Sequence, residues 1–153
     1  MPDNIDPVID PLKAYTEACN TFRHYSNASL QVRLASVAQG IVLLGAWALA
    51  VLHKSQHIEI FVPISGLFFT GLLYRFHMGY YRATESFFKA AAKMESKFFD
   101  EDCRPVTGYN QEYEMRFGSR KEKILTLNAP FTFVGAMFLL ALIISAIRLI
   151  SQA

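Results

Sequence analysis

Few residues in this chain could do chemistry, and most of them are cationic. Arg82, Lys89, Lys93 and Lys97 fall at helical spacing, the three lysines one turn apart. Like charges stacked this way form either a solvated face or an attraction for an acidic ligand, an anionic lipid headgroup or a nucleotide. His53, His57 and Glu59 would bind a metal or sense pH if held on one face. A short loop supplies no third preorganised ligand, so they read as solvated turn residues, and no metal or other cofactor is expected.

The remaining polar residues have simpler readings. Glu85 and Glu95 pair along a helix with Lys89 or Lys97. Arg75 and His77 anchor the edge of an apolar run. Neither a phosphate-cradling glycine loop, nor Gly-x-Ser-x-Gly, nor His-Glu-x-x-His occurs. No ionisable residue sits mid-way along an apolar block, which weakens a proton-coupled transporter. The expectation is a non-enzyme. Cys19 and Cys103 stand alone, without Cys-x-x-Cys, and read as reduced thiols. A net charge of +2 is too small to point to nucleic acid.

What must position these residues is a set of helices. Of 153 residues, 52% are hydrophobic and 18% charged, ordinary for a small membrane protein and rich for a soluble one. The apolar residues are concentrated in three uncharged blocks, at 34–52, 60–74 and 124–147, inside candidate spans at 34–52, 58–75 and 119–150. The predicted fold is all-α: an integral membrane protein with three transmembrane helices, an amphipathic N-terminal helix and a long cytosolic extension of the second span.

In chain order, 1–9 reads as an acidic, proline-bearing lead-in without signal-peptide character. Asp10 and Pro11 make a good helix start. An amphipathic cytosolic helix is expected over 10–31, its narrow seam formed by Leu12, Tyr15, Cys19, Phe22 and Ser26. The first span, 34–52, is about 28 Å long as a helix. It offers Ser36, Gln39 and Gly40 for close helix contact, as Gly66 and Gly71 do in the second. That contact serves packing within one subunit or a subunit interface equally well.

The second span, 58–75, carries Pro63 in its first turn and continues into a basic helix over 76–99. Tyr80, Phe87 and Met94 form the cytosolic seam there, matched to Tyr15 and Phe22 of the first helix. Residues 100–118 read as a cytosolic loop, with a short helical face of Tyr109, Tyr113 and Phe117. Ser119 and Glu122 have capping-box spacing at the start of the third spanning helix, 119–150. Pro130 kinks that helix or marks its true start, with Asn128 as an alternative cap. About ten of the Lys and Arg residues lie between Arg75 and Lys123, three precede the first span, and Lys54 alone lies between the first two. This bias places the N-terminus and the 75–123 segment in the cytosol and the C-terminus outside the inner membrane. The sequon Asn27, Ala28, Ser29 would then stay unglycosylated.

Two runs carry a family likeness: RHYSNASLQVR from Arg23 to Arg33, and YRATESFFK from Tyr81 to Lys89. With the N-terminal helix, tight hairpin and long basic helix around them, the first two thirds of the chain resembles the SLATT-type membrane effectors of bacterial conflict systems. The resemblance implies a homo-oligomer in antiviral defence that perturbs the membrane when a cytosolic protein or nucleotide triggers it.

The functional expectation is therefore a homo-oligomeric pore-forming or membrane-perturbing effector, controlled through its cytosolic helices. A non-catalytic accessory subunit of a larger membrane complex is the alternative. A third reading is a sensor of an anionic lipid or nucleotide at Arg82, Lys89, Lys93 and Lys97.

Overall fold

The computed structural model describes residues 10–100, 104–106 and 120–152. These form α1 (Pro11–Leu52), α2 (Gln56–Phe98) and α3 (Arg120–Gln152). All three are long and apolar enough to cross a membrane. The lead-in at 1–9, Cys103, the short helical face at 109–117 and the cap at Ser119 lie outside the described residues.

α1 starts where the Asp-Pro pair puts it. The Asp10 carboxylate accepts from Leu12 N–H at 3.0 Å, and Pro11 occupies the first turn. The separate elements expected at 10–31 and 34–52 are one unbroken helix, because no glycine or proline interrupts residues 12–39. At 42 and 43 residues, α1 and α2 each run about 63 Å, twice the thickness of a hydrocarbon core. A hydrocarbon core would span about half of either helix.

A tight reversal joins them. Ser55 N–H donates to Ala50 C=O at 3.0 Å and Lys54 N–H to Val51 C=O at 3.3 Å. This is the Schellman arrangement, and it places Lys54 in the left-handed region, φ 56°. Glycine is the usual occupant there.

α2 begins at Gln56, so Pro63 lies inside the helix instead of in its first turn. α3 begins at Arg120, so Pro130 is likewise internal and Asn128 is no cap; its carbonyl accepts from Thr132 Oγ1 at 3.2 Å.

α1 and α2 form an antiparallel hairpin, and α3 covers the half nearer the turn. Among the described side chains of α3, Phe131, Val134, Phe138, Ala141 and Ser145 are buried, at alternating steps of three and four. Phe131 lies against Tyr74 and His77, and Phe138 against Gly66. α3 therefore runs antiparallel to α2.

Glycines make the close approaches possible. A Cβ at Gly40 would stand 2.9 Å from Val134 Cγ1, and one at Gly66 would clash with the Cε1 and Cζ edge of the Phe138 ring. Gly71 has open space around it and takes no part in this packing.

The burial pattern departs from that of a soluble bundle, with polar side chains buried beside apolar ones and many large apolar side chains facing outward. Ser29, Ser36, Glu59, Thr70, His77 and Ser145 are buried, while Ile41 and Phe68 are each 68% exposed. Lipid as the surrounding medium makes this arrangement favourable, since polar groups then face protein and apolar ones face hydrocarbon.

Candidate functional site

Functional side chains gather at three levels along the three-helix interface and at a fourth where only α1 and α2 pack. At the turn level, Trp47 Nε1 donates to Ser145 Oγ at 2.9 Å. The Ser145 hydroxyl proton is shared between Glu59 C=O, 3.0 Å, and Ala141 C=O, 2.9 Å. Arg148 sends Nη2 to Val51 C=O at 3.4 Å, at the negative end of the α1 dipole. Its Nε lies 3.6 Å from Glu59 Oε2, an ion pair too long to be a hydrogen bond. Glu59 is thus buried and paired, not a solvated turn residue, while His53 and His57 are exposed beside it.

The mid-span level is different. Ser36 Oγ, Thr70 Oγ1 and both polar atoms of the Gln39 amide are buried with no hydrogen-bond partner. Ser29 pairs with His77, and seven residues further towards the turn on each helix come Ser36 and Thr70, which places those two at one level. Gln39 is one turn on from Ser36. Each unsatisfied group in a dry interior costs about 1–3 kcal/mol.

The third level lies just beyond the apolar 58–75 segment. Ser29 Oγ and His77 Nδ1 are 2.9 Å apart, and the imidazole packs on the Phe131 ring at 5.1 Å. His77 is therefore enclosed by three helices instead of anchoring an interface. Burial, reinforced by the nearby Arg33 cation, lowers its pKa from the ordinary value of 6.5. The ring is neutral at physiological pH.

The fourth level is the open end of the hairpin. Tyr25 stacks on Phe87 with centroids 5.6 Å apart and approaches Tyr80 at 6.1 Å; Phe22 meets Phe88 at 5.8 Å. Leu12 and Ser26 are exposed and stand off this seam, whose α1 side is carried by Tyr15, Ala18, Phe22 and Tyr25. Met94 is half-buried.

Glu95 turns inward and is fully buried, in contrast to the solvated i,i+4 role expected of it. It accepts from Tyr15 Oη at 2.7 Å and from Val106 N–H at 2.8 Å. Burial first, and then the bond to Glu95, push the Tyr15 hydroxyl far above its ordinary range, so it remains a donor. Glu95 thereby ties α1, α2 and the 104–106 segment together.

Arg82, Lys89, Lys93 and Lys97 are all exposed. Lys89 pairs with Glu85 at 2.9 Å, and Lys97 lies 5.2 Å from the Phe98 ring centroid. Lys97 is about 33 Å further along the α2 axis than Arg75, well beyond a Debye length of about 8–10 Å.

Sequence spacing held an unused signal for the buried polar set. Pro63, Thr70 and His77 are seven apart, as are Ser29 and Ser36, and that repeat marks the inward face of each helix. Comparison with protein-family models, with curated proteins and with solved structures finds no match to this chain.

Proposed function

We propose that the chain is a homo-oligomeric, membrane-perturbing effector of the bacterial inner membrane, held in a closed state by the packing described above. Its N-terminus and the open end of the hairpin face the cytosol, and the 53–55 turn and the C-terminus the outside, following the bias of Lys and Arg. The observation that carries this reading is the buried Ser36, Gln39 and Thr70 level, whose polar atoms have no partner in the protein. An unpartnered amide in hydrocarbon is costly, and water relieves it. A rearrangement that wets this level would turn the interior of the spans into a polar path. α1 and α2 transmit such a rearrangement, because each runs without a break from the open end of the hairpin to the turn.

Three helices packed this tightly enclose no path alone, so the conducting form requires several copies. Purified chain in liposomes is expected to release an entrapped dye, and Gln39→Leu to reduce that release by removing the polar group. Liposomes that remain sealed with the wild-type chain at every protein-to-lipid ratio end this reading.

A second reading, an accessory subunit, draws on glycines the chain leaves uncovered. Cβ atoms at Gly45, Gly71 and Gly135 would meet nothing within 4 Å, and such positions let a foreign helix approach closely. A stoichiometric second polypeptide in a detergent pull-down favours the subunit; a symmetric particle of one band favours the effector. Sensing of a nucleotide through Arg82, Lys89, Lys93 and Lys97 predicts salt-sensitive binding that vanishes when the lysines become glutamine.

A further inference from the structure

A cavity of about 470 Å³ lies outside the three-helix interface, lined by Tyr25, Leu72, Arg75, Phe76, Gly79 and Tyr80. Its position is defined by the chemistry of α2. Leu72, on the last turn of the apolar segment, is 40% exposed and Phe76 is 53% exposed. The wall they form continues the hydrocarbon-facing surface of Phe68 and Phe69. Arg75 closes that segment, is exposed, and has no hydrogen-bond or ion-pair partner among the described residues. Gly79 forms open space, since a Cβ there would meet no atom within 4 Å. Tyr25 comes from α1, held in place by stacking on Phe87.

We infer that this crevice binds one anionic phospholipid, its phosphate on the Arg75 guanidinium and its first acyl carbons along Leu72 and Phe76. The guanidinium fork suits a phosphate bidentately. The apolar wall suits the acyl chains and excludes a free anion as the natural occupant, because a phosphate ion gains nothing from Leu72 or Phe76. The volume lies within the range of small-molecule sites. The crevice differs from the exposed lysine row in having walls, a single cation and the depth at which headgroups meet hydrocarbon. It is independent of whether the chain conducts ions.

The full chain in detergent, offered equal amounts of phosphatidylglycerol and phosphatidylcholine with identical acyl chains, tests this by native mass spectrometry. One phosphatidylglycerol per chain is expected to be retained preferentially. Arg75→Gln removes the phosphate contact and lowers the preference about tenfold. Gly79→Leu fills the crevice with the same result, and as a helix-favouring replacement in open space it leaves the thermal midpoint at or above wild type. Arg75→Lys retains most of the preference as a point charge. Equal retention of both lipids overturns the inference, as does wild-type preference in both Arg75→Gln and Gly79→Leu. Displacement of the lipid by inorganic phosphate overturns it in favour of a free-anion site, and a lipid-free dimer in favour of a second copy as occupant.

Discussion

Ser145 supplies the hydrogen bond that Pro63 withholds. A proline has no N–H, so the Glu59 carbonyl four residues earlier loses its helical donor. The Ser145 hydroxyl of α3 donates to that carbonyl at 3.0 Å and itself accepts from Trp47 Nε1 of α1 at 2.9 Å. Ser145→Ala is therefore expected to cost about 1–2 kcal/mol, by stranding a buried carbonyl and the indole N–H. In a Pro63→Ala background the helix regains its own donor, and the same substitution should cost less. Thermal unfolding of the four proteins measures this coupling; an identical cost in both backgrounds would show that the two residues act separately.

Acid should loosen the bundle at His77. Its folded pKa lies below 6.5, so between the two values the unfolded chain binds a proton that the folded chain refuses. Stability is full above the unfolded pKa and falls as the pH drops below it. The imidazolium would stand near Arg33 with the same sign of charge, offset in part by the Phe131 ring face. The thermal midpoint is expected to fall from about pH 7.5 to about pH 5, and His77→Gln to flatten that fall.

Lys54 occupies a left-handed position at φ 56°, where an L side chain is strained. Lys54→Gly removes the strain while making the unfolded chain more flexible. The net expectation is a gain of up to about 1 kcal/mol, read as a rise in midpoint with no change in helix content. A lowered midpoint would mean that the turn derives more from the lysine side chain than its backbone costs.

The Glu95 clasp makes a prediction about the open end of the hairpin. Glu95→Ala leaves the Val106 N–H and Tyr15 hydroxyl without their shared acceptor, whereas Tyr15→Phe removes only one bond. Losses of about 3 and about 1 kcal/mol are expected respectively. Amide hydrogen exchange at Val106 should accelerate strongly in the first variant and little in the second.

The helical class, the three apolar segments and the helix start at Asp10 were legible, because each rests on composition or local capping. The seam residues Tyr15, Phe22, Tyr80 and Phe87 were legible through spacing, though Leu12 and Ser26 show how little a three-four repeat says about which stripe is used. Glu59, His77 and Glu95 were misread for one reason. Charge at the edge of an apolar run suggests water or an interface, yet each is buried by a partner distant in sequence: Arg148, Ser29 and Tyr15. Such pairings arise from the register between helices, which no local window contains. Register also decided the glycines, sending Gly66 inward and leaving Gly71 open.

That last contrast separates packing within the chain from assembly between chains. Gly66→Leu would drive a side chain into the Phe138 ring, which is fully buried, and should cost about 3 kcal/mol and undock α3. Gly71→Leu meets no atom of its own chain and should leave the folded subunit intact, or slightly more stable through helix propensity. Any effect it has on the mass of the detergent-solubilised particle must therefore come from a neighbouring subunit brought close at that small residue. A smaller particle with an unchanged midpoint would place Gly71 in the assembly interface. An unchanged particle would remove that face of α2 from the interface and leave Gly45 and Gly135 as the close-approach positions to substitute next.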